Sequence, residues 1–252
     1  MKIKYKNSIV GFIDVLGFSK LVYTSEHSHI EAYFNYVVDD LKIQLTGTNF
    51  KYLLISDSIV ISAPNILSNF KILVKLLSKI QAKLLAKGIL LRGAIAVGYL
   101  YVNRTNNVIV GSGLIRAYEL ESSAIYPRIV IDRKFIPLYY GSTNRMIDDS
   151  ENWLTSDVVN KYADGVIYIN YPRYVVIHNT FYMRNRIDNI LTMLKEHYYS
   201  NTYFEKYDWL LLHLICQFNL SIKEFSEESN PTKQSKRKIQ KIKNVLPQFL
   251  EI

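Results

Sequence analysis

Two aspartates carry the chemistry that this sequence can offer. Asp14 lies in Gly11-Phe12-Ile13-Asp14-Val15-Leu16-Gly17-Phe18-Ser19, and Asp57 lies in Leu53-Leu54-Ile55-Ser56-Asp57-Ser58-Ile59-Val60-Ile61-Ser62. Each is a single acid in an apolar, β-branched run that reads as a strand. A carboxylate there is costly unless positive charge meets it, and two such strands side by side repel unless they share a cation. A pair of divalent metal ions is the simplest remedy. With no histidine or cysteine beside the aspartates, Mn²⁺ or Mg²⁺ is the expected occupant, two per site, held by Asp14, Asp57 and the Val15 carbonyl. The other reading of either aspartate alone is a turn residue or a hydrogen-bonded structural group. In the turn after Asp14, free backbone N–H groups can receive anionic oxygens, and Gly17 lets the main chain approach a triphosphate closely.

The elements that must position these residues follow from periodicity. Ser8 to Val15 reads as a buried strand, and His29 to Leu45 as a helix with Ile30, Phe34, Val37, Val38 and Leu41 at helical spacing. Lys51 to Ile55 and Ser58 to Ala63 form two arms of a hairpin with Asp57 at or beside its tip. Ser68 to Ala86 is helical and stops at Gly88, and Leu90 to Tyr99 is a strand. Asn106-Asn107 makes a turn before the short strand Val108 to Val110, followed by a helix over Gly111 to Glu121 and a strand over Arg128 to Ile131. The order β-α-β-β-α-β followed by α-β predicts an α+β fold, a ferredoxin-like palm with an αβ extension. That topology makes the first strand and the hairpin neighbours, so Asp14 and Asp57 come out side by side.

After residue 150 the pattern weakens to one strand at 165–171, helices over Asn179 to Tyr199 and Asn201 to Phe218, and an exposed, lysine-rich hinge and basic helix over Glu227 to Lys243. The expected division is a main domain over 1–150, a strand and helical extension packed on it over 151–226, and a basic tail over 227–252. That tail, with Lys233, Lys236, Arg237, Lys238, Lys241 and Lys243, reads as a solvated helix packing on nothing rather than a nucleic-acid site.

The 252 residues can bury a full core, and 49% hydrophobic with 21% charged residues is ordinary globular composition. The formal charge of +9 suits nucleotides, nucleic acid or anionic membrane alike and selects none of them. The lone Cys216 rules out an intramolecular disulfide or a cysteine metal cluster and is expected to be a buried structural thiol. No apolar run approaches the length of a membrane span, and the basic start leads straight into a strand. The expected location is the cytoplasm. The five histidines show no metal-ligand spacing, and Asp132, Asp148 and Asp149 are placed in loops without a role.

Residues Phe12 to Ser19 resemble the first-strand motif of class III nucleotidyl cyclase domains, Phe-x-Asp-(Ile/Val)-x-Gly-Phe-(Ser/Thr), and Asp57 resembles that family's second metal aspartate. Leu91-Arg92-Gly93-Ala94-Ile95-Ala96-Val97-Gly98 is similar to its Arg-x-Gly-(Ile)-x-x-Gly strand, and Gly111 to Glu121 to its Gly-x-x-(Val)-Asn-x-Ala-x-Arg-(Leu/Met)-Glu helix. The match covers about residues 5 to 135. By that alignment Ile115 and Glu119 stand where the family has its catalytic asparagine and transition-state arginine. Leu53 and Val108 stand at its purine-selecting positions. With Asp164-Gly165 and Lys206-Tyr207-Asp208-Trp209-Leu210, the chain looks like the bacterial pyrimidine cyclases of Pycsar anti-phage defence.

The resemblance implies synthesis of 3′,5′-cyclic UMP from UTP or cyclic CMP from CTP, a homodimer with its sites at the interface, and a separate effector that senses the cyclic nucleotide. It implies neither a nucleic-acid nor a membrane partner. The expected nucleotide contacts are Phe12, Leu16, Gly17, Phe18, Ser19, Lys51 and Tyr118. Arg92 and Arg116 are candidates for neutralising phosphate charge, with a surface ion pair as the other reading of each. Tyr118, Glu119 and Glu121 lie on the helix that faces the partner's site by resemblance. The alternatives are an inactive cyclase-derived nucleotide-binding module and a purine nucleotide cyclase.

Overall fold

Strict alternation of side chains shapes the first strand, β1 (Lys6–Val15), in the computed structural model, which describes residues 3–23, 27–103, 105–106, 108–151, 159–161, 165–176, 184–199, 203–227 and 232–252. Ile9, Ile13 and Val15 enter the main core, whereas Val10 and Phe12 pack on the opposite face of the sheet. A short helix α1 (Phe18–Tyr23) and the long α2 (His27–Leu45) follow, and then the hairpin of β2 (Lys51–Ile55) and β3 (Ser58–Pro64). Helix α3 (Leu67–Leu85) leads to β4 (Leu91–Asn103), β5 (Val108–Val110), α4 (Ser112–Ser123) and β6 (Ile129–Ile131).

The eight-stranded sheet runs β2-β3-β1-β4-β6-β8-β7, with β5 paired to β4 off this path, β8 being Ile167–Ile169 and β7 Val159–Lys161. β1 is antiparallel to both β3 and β4, and β6 lies parallel to β4. This is the split βαββαβ palm with an αβ extension that the spacing predicts.

Helix α3 lays Phe70, Leu73, Val74, Leu77, Ile80 and Leu84 onto one face of the sheet, as its three- and four-residue spacing dictates. Each such side chain contributes about 1.5–3 kcal/mol by leaving water. Helix α4 covers part of the other face. Gly98 on β4 and Gly113 on α4 meet there backbone to backbone: a Cβ on Gly98 would stand 2.6 Å from the Gly113 nitrogen. Among the described residues no helix covers the half of that face formed by β2, β3 and β5, and the apolar Ile55, Ile115 and Tyr118 around it are exposed.

Beyond β6 come a π-helical turn (Ile136–Tyr140), α5 (Thr143–Glu151), a single turn α6 (Tyr171–Tyr174), α7 (Arg184–His197), α8 (Phe204–Ser226) and α9 (Lys233–Leu250). The first three, with α1 and β7, have too few residues for periodicity to announce them. Asp148 and Asp149 therefore lie on α5 rather than in a loop, and Asp149 pairs with Lys71 at 2.9 Å. Asn107, Asp164, Asn179, Asn201 and Pro231 lie outside the described residues.

One hydrophobic cluster runs from Ile9 on β1 through Trp209, Leu210 and Leu214 on α8 to Ile242 and Phe249 on α9. Two expectations change here. The basic helix does not pack on nothing: Phe249 packs at a tilt on Phe218 of α8, ring centroids 5.2 Å apart, because the apolar residues of α9 share one face. Cys216 is exposed, since the inward stripe of α8 is Leu210, Leu214, Gln217 and Ser221 and position 216 falls outside it. Trp209 stacks between Tyr126 and His213, and Tyr168 of β8 meets both Trp209 and His213 edge-on, which fastens α8 to the sheet. No helix among the described residues is long and apolar enough to cross a membrane.

Candidate active site

The register brings the two aspartates together. Ile13 pairs with Ile59, so Asp14 emerges from β1 level with Ser58, immediately after the two-residue turn Ser56-Asp57 that closes the β2–β3 hairpin. Ser56 takes a left-handed φ of 54°, which the tight turn requires. The tip is pinned from the helical side, where the buried Tyr33 of α2 donates its hydroxyl proton to the Asp57 backbone carbonyl at 2.8 Å. Tyr33 carried no signal in the sequence beyond its place on the helix.

Asp14 and Asp57 are within hydrogen-bonding reach of each other. Burial pushes the Asp14 carboxyl up to about 7, the Asp57 charge and the shared hydrogen bond add to that, Glu121 raises it further, and Arg92 alone opposes. The same two carboxylates, after burial, hold the Tyr33 phenol above its ordinary range. Such a pair is short of positive charge, and two hard oxygen donors facing each other fit a divalent cation. Among the described residues no cluster of three or more His, Cys, Asp or Glu side chains is placed to hold a metal, so further ligands would come from main-chain oxygen such as Val15, from water or from substrate.

Arg92 is directly opposite Asp14 on β4. Its guanidinium lies 3.5 Å from Asp14 Oδ2 and 2.5 Å from Glu121 Oε1, so it is shared between two carboxylates. Glu121 is 4% exposed and turned into the sheet from α4. A buried glutamate is tolerable only with such a partner. Arg116 takes the opposite flank of α4, where its Nε and a terminal nitrogen donate to Asp132 at 3.2 and 3.4 Å. Asp132, just past β6, is therefore not a residue without a role: it is 1% exposed, receives the Lys134 N–H, and raises the Arg116 pKa through the hydrogen bond.

Around the aspartates, Gly17 turns the chain out of β1 with φ 76° and is exposed with Ser19, whereas Leu16 and Phe18 are half-buried, Phe18 meeting Tyr33 edge-on at 6.3 Å. Phe12 meets Tyr118 edge-on at 5.5 Å, and both line an apolar hollow with Ile55, Val60, Ile109 and Ile115. Glu119 is exposed. Lys51 opens a neighbouring hollow that also holds Leu53, Ser62, Asn103 and Val108. The structure thus gathers Phe12, Asp14, Arg92, Tyr118, Glu121 and Asp57 along one edge and face of the sheet, and holds Arg116 away from them.

Removing the Tyr33 hydroxyl tests how the hairpin tip is held. Tyr33→Phe is expected to cost about 1 kcal/mol of stability, and to weaken Mn²⁺ binding severalfold because the Asp57 main chain is no longer fixed. Thermal unfolding and Mn²⁺ titration monitored by electron paramagnetic resonance measure the two effects. Unchanged Mn²⁺ affinity would show that the tip is rigid without this bond.

No protein-family model matches the chain, and no curated protein matches it in sequence. Among solved structures it is similar to the adenylyl cyclase CyaB from P. aeruginosa, at 16% identity over 67% of this chain and 95% of that one, with a TM-score of 0.41. It is also similar to the monomeric guanylyl cyclase domain of the RhoGC fusion protein from the aquatic fungus Blastocladiella emersonii, at 13% identity over 67% and 98% of the two chains, TM-score 0.42. A third is the guanylyl cyclase Cya2, at 12% identity over 67% and 93%, TM-score 0.40.

Proposed function

We propose that the chain is a metal-dependent nucleotidyl cyclase that converts UTP or CTP to the 3′,5′-cyclic monophosphate and pyrophosphate. The observation that carries this reading is the facing pair Asp14 and Asp57, set at adjacent strand ends with too little positive charge between them. Bound Mn²⁺ or Mg²⁺ would supply the positive charge that acidifies the ribose 3′-OH and neutralises the triphosphate. Asp14 and Asp57 would hold it, with the Val15 carbonyl as a further oxygen. The turn at Gly17 and Ser19 offers main-chain N–H groups to phosphate oxygens. The 3′-oxygen attacks the α-phosphorus, its proton passes to solvent, and the bond from that phosphorus to the bridging oxygen breaks to release pyrophosphate. Arg92, fixed by Glu121, offsets the charge of Asp14.

Leu53 and Val108 meet in one hollow, so the two positions that select purines in the family resembled offer only apolar surface here. This favours a pyrimidine. A second copy of the chain covers the open apolar face at Phe12, Ile115 and Tyr118, head to tail, and completes the base and phosphate contacts. In a cell the cyclic pyrimidine nucleotide would act as a messenger read by a separate effector in defence against phage.

A second reading, a nucleotide-binding module without turnover, is favoured by Ile115, which puts an exposed apolar side chain where the family resembled has its catalytic asparagine. Incubating the protein with Mn²⁺ and ATP, GTP, CTP or UTP in turn, with products identified by mass spectrometry, separates the readings. A cyclic product from CTP or UTP is expected. A cyclic purine would overturn the base assignment, and nucleotide binding without product would favour the module.

A further inference from the structure

The open face of the sheet has a second end. Along β1 Lys6 and Asp14 are about 26 Å apart at ~3.3 Å per residue, and at the Lys6 end lies a hollow of about 400 Å³ lined by Lys4, Lys6, Lys51, Asn7, Asn49 and Ser62, among others. Its volume falls within the ~300–1,000 Å³ of small-molecule sites. No carboxylate lines it, and among the described residues none of the three lysines is in an ion pair. The ammonium groups come from three separate stretches, the segment before β1, β1 itself and the start of β2, so the fold and not one run of sequence collects them.

Of the polar residues lining the hollow, Asn7 ends a side-chain relay. Tyr139 gives its hydroxyl proton to the Asn65 side-chain oxygen at 2.6 Å, and the Asn65 amide nitrogen then donates to the Asn7 side-chain oxygen at 3.4 Å. That bond occupies one lone pair of the exposed Asn7 amide oxygen and leaves its N–H₂ group available as a donor.

We propose that this hollow, which adjoins the Leu53–Val108 hollow and shares Lys51 and Ser62 with it, is a binding site for a compact polyanion of the di- or triphosphate class, at the opposite end of β1 from the Asp14–Asp57 pair. Three lysines on flexible stems are point charges that spread over an anion with several oxygens. Their combined charge matches a diphosphate, whereas a nucleic-acid backbone needs a stripe of cations that follows its phosphates. Without metal, the two aspartates at the opposite end repel anions, so the two sites can be measured apart.

The experiment is isothermal titration with inorganic pyrophosphate in EDTA at low salt. Wild type is expected to bind, the Lys4→Ala/Lys6→Ala variant to bind at least tenfold more weakly, Lys6→Arg to retain binding, and Asp14→Asn to bind as wild type does. Binding should weaken steeply by 0.5 M salt, as expected for an electrostatic site. Both alanine substitutions fall on exposed side chains, and circular dichroism checks the fold. No pyrophosphate binding, equal binding by the double-lysine variant, loss of binding in Asp14→Asn, or tight binding of a single-stranded oligonucleotide without any of pyrophosphate would each overturn the proposal. None of these outcomes depends on cyclase turnover.

Discussion

Asp14→Asn is expected to lower Mn²⁺-dependent cyclase turnover by on the order of a thousandfold or more while making the metal-free protein more stable at pH 8. The two effects have one cause. In the folded chain, burial and Asp57 push the Asp14 carboxyl up to about 7 from an ordinary 3.8. Below 3.8 the group is protonated whether the chain is folded or not, and the favourable contribution of the raised pKa is fully present. Between 3.8 and about 7 the folded chain keeps a proton that the unfolded chain releases, so stability falls as pH rises. Above about 7 the whole cost remains, of the order of 2–4 kcal/mol.

Asparagine cannot ionise. The variant should therefore melt above wild type at pH 8, with the gap closing as pH is lowered to 4. Mn²⁺ should raise the melting temperature of wild type at pH 8 and leave the variant unmoved, because binding of the cation to wild type relieves the same repulsion. Thermal scans with and without Mn²⁺ at the two pH values, together with product analysis, give all three readouts. Full turnover in Asp14→Asn would sink the metal-site reading, and a variant less stable at pH 8 would show that Arg92 more than offsets the pair.

Gly98→Ala should be strongly destabilising, because a single methyl group there meets only backbone. The added Cβ would stand 2.6 Å from the Gly113 nitrogen and 2.7 Å from its Cα, and neither backbone atom can rotate away. Helix α4 must lift from β4, taking with it Ala117, which is fully buried against the sheet, and Glu121, which holds Arg92. A loss of about 3 kcal/mol or more is expected, seen as a fall in melting temperature of roughly 10 °C. Gly113→Ala is the informative comparison. Its nearest neighbour is a side-chain atom, Val10 Cγ2 at 2.9 Å, and the Gly98 backbone stands farther off at 3.2 Å, so the loss should be smaller. Equal melting of Gly98→Ala and wild type would mean that α4 is not tightly seated.

The proposed chemistry depends on a small number of long-range contacts. Tyr33 and Asp57 are 24 residues apart, Arg116 and Asp132 are 16 apart, and Arg92 bridges a strand residue to a helix residue. In the linear chain Arg92 and Arg116 are alike, each following two apolar residues and preceding a small one. In the fold one is tied to the aspartate edge and the other is drawn to the far flank of α4, because positions 113, 117 and 121 take the inward stripe and 116 falls beside it. Glu119 and Glu121 likewise sit two residues apart on the same helix, yet one is exposed and the other is among the most buried charges.

Local periodicity by itself determined the order of the longer elements from β1 to β6, the hairpin with Asp57 at its tip, and the pairing of that hairpin with β1. Each follows from which residues within one element repeat toward the same side, and from the small number of ways that a βαββαβ order can close. Only the tertiary structure decided which charges neutralise one another, which part of the sheet stays uncovered, that Cys216 faces out, and that α9 returns to pack on α8. Those outcomes depend on the distance and relative rotation of separate elements. A residue pattern records the phase of a helix or strand about its own axis, whereas its phase relative to a neighbour is set only when the core closes.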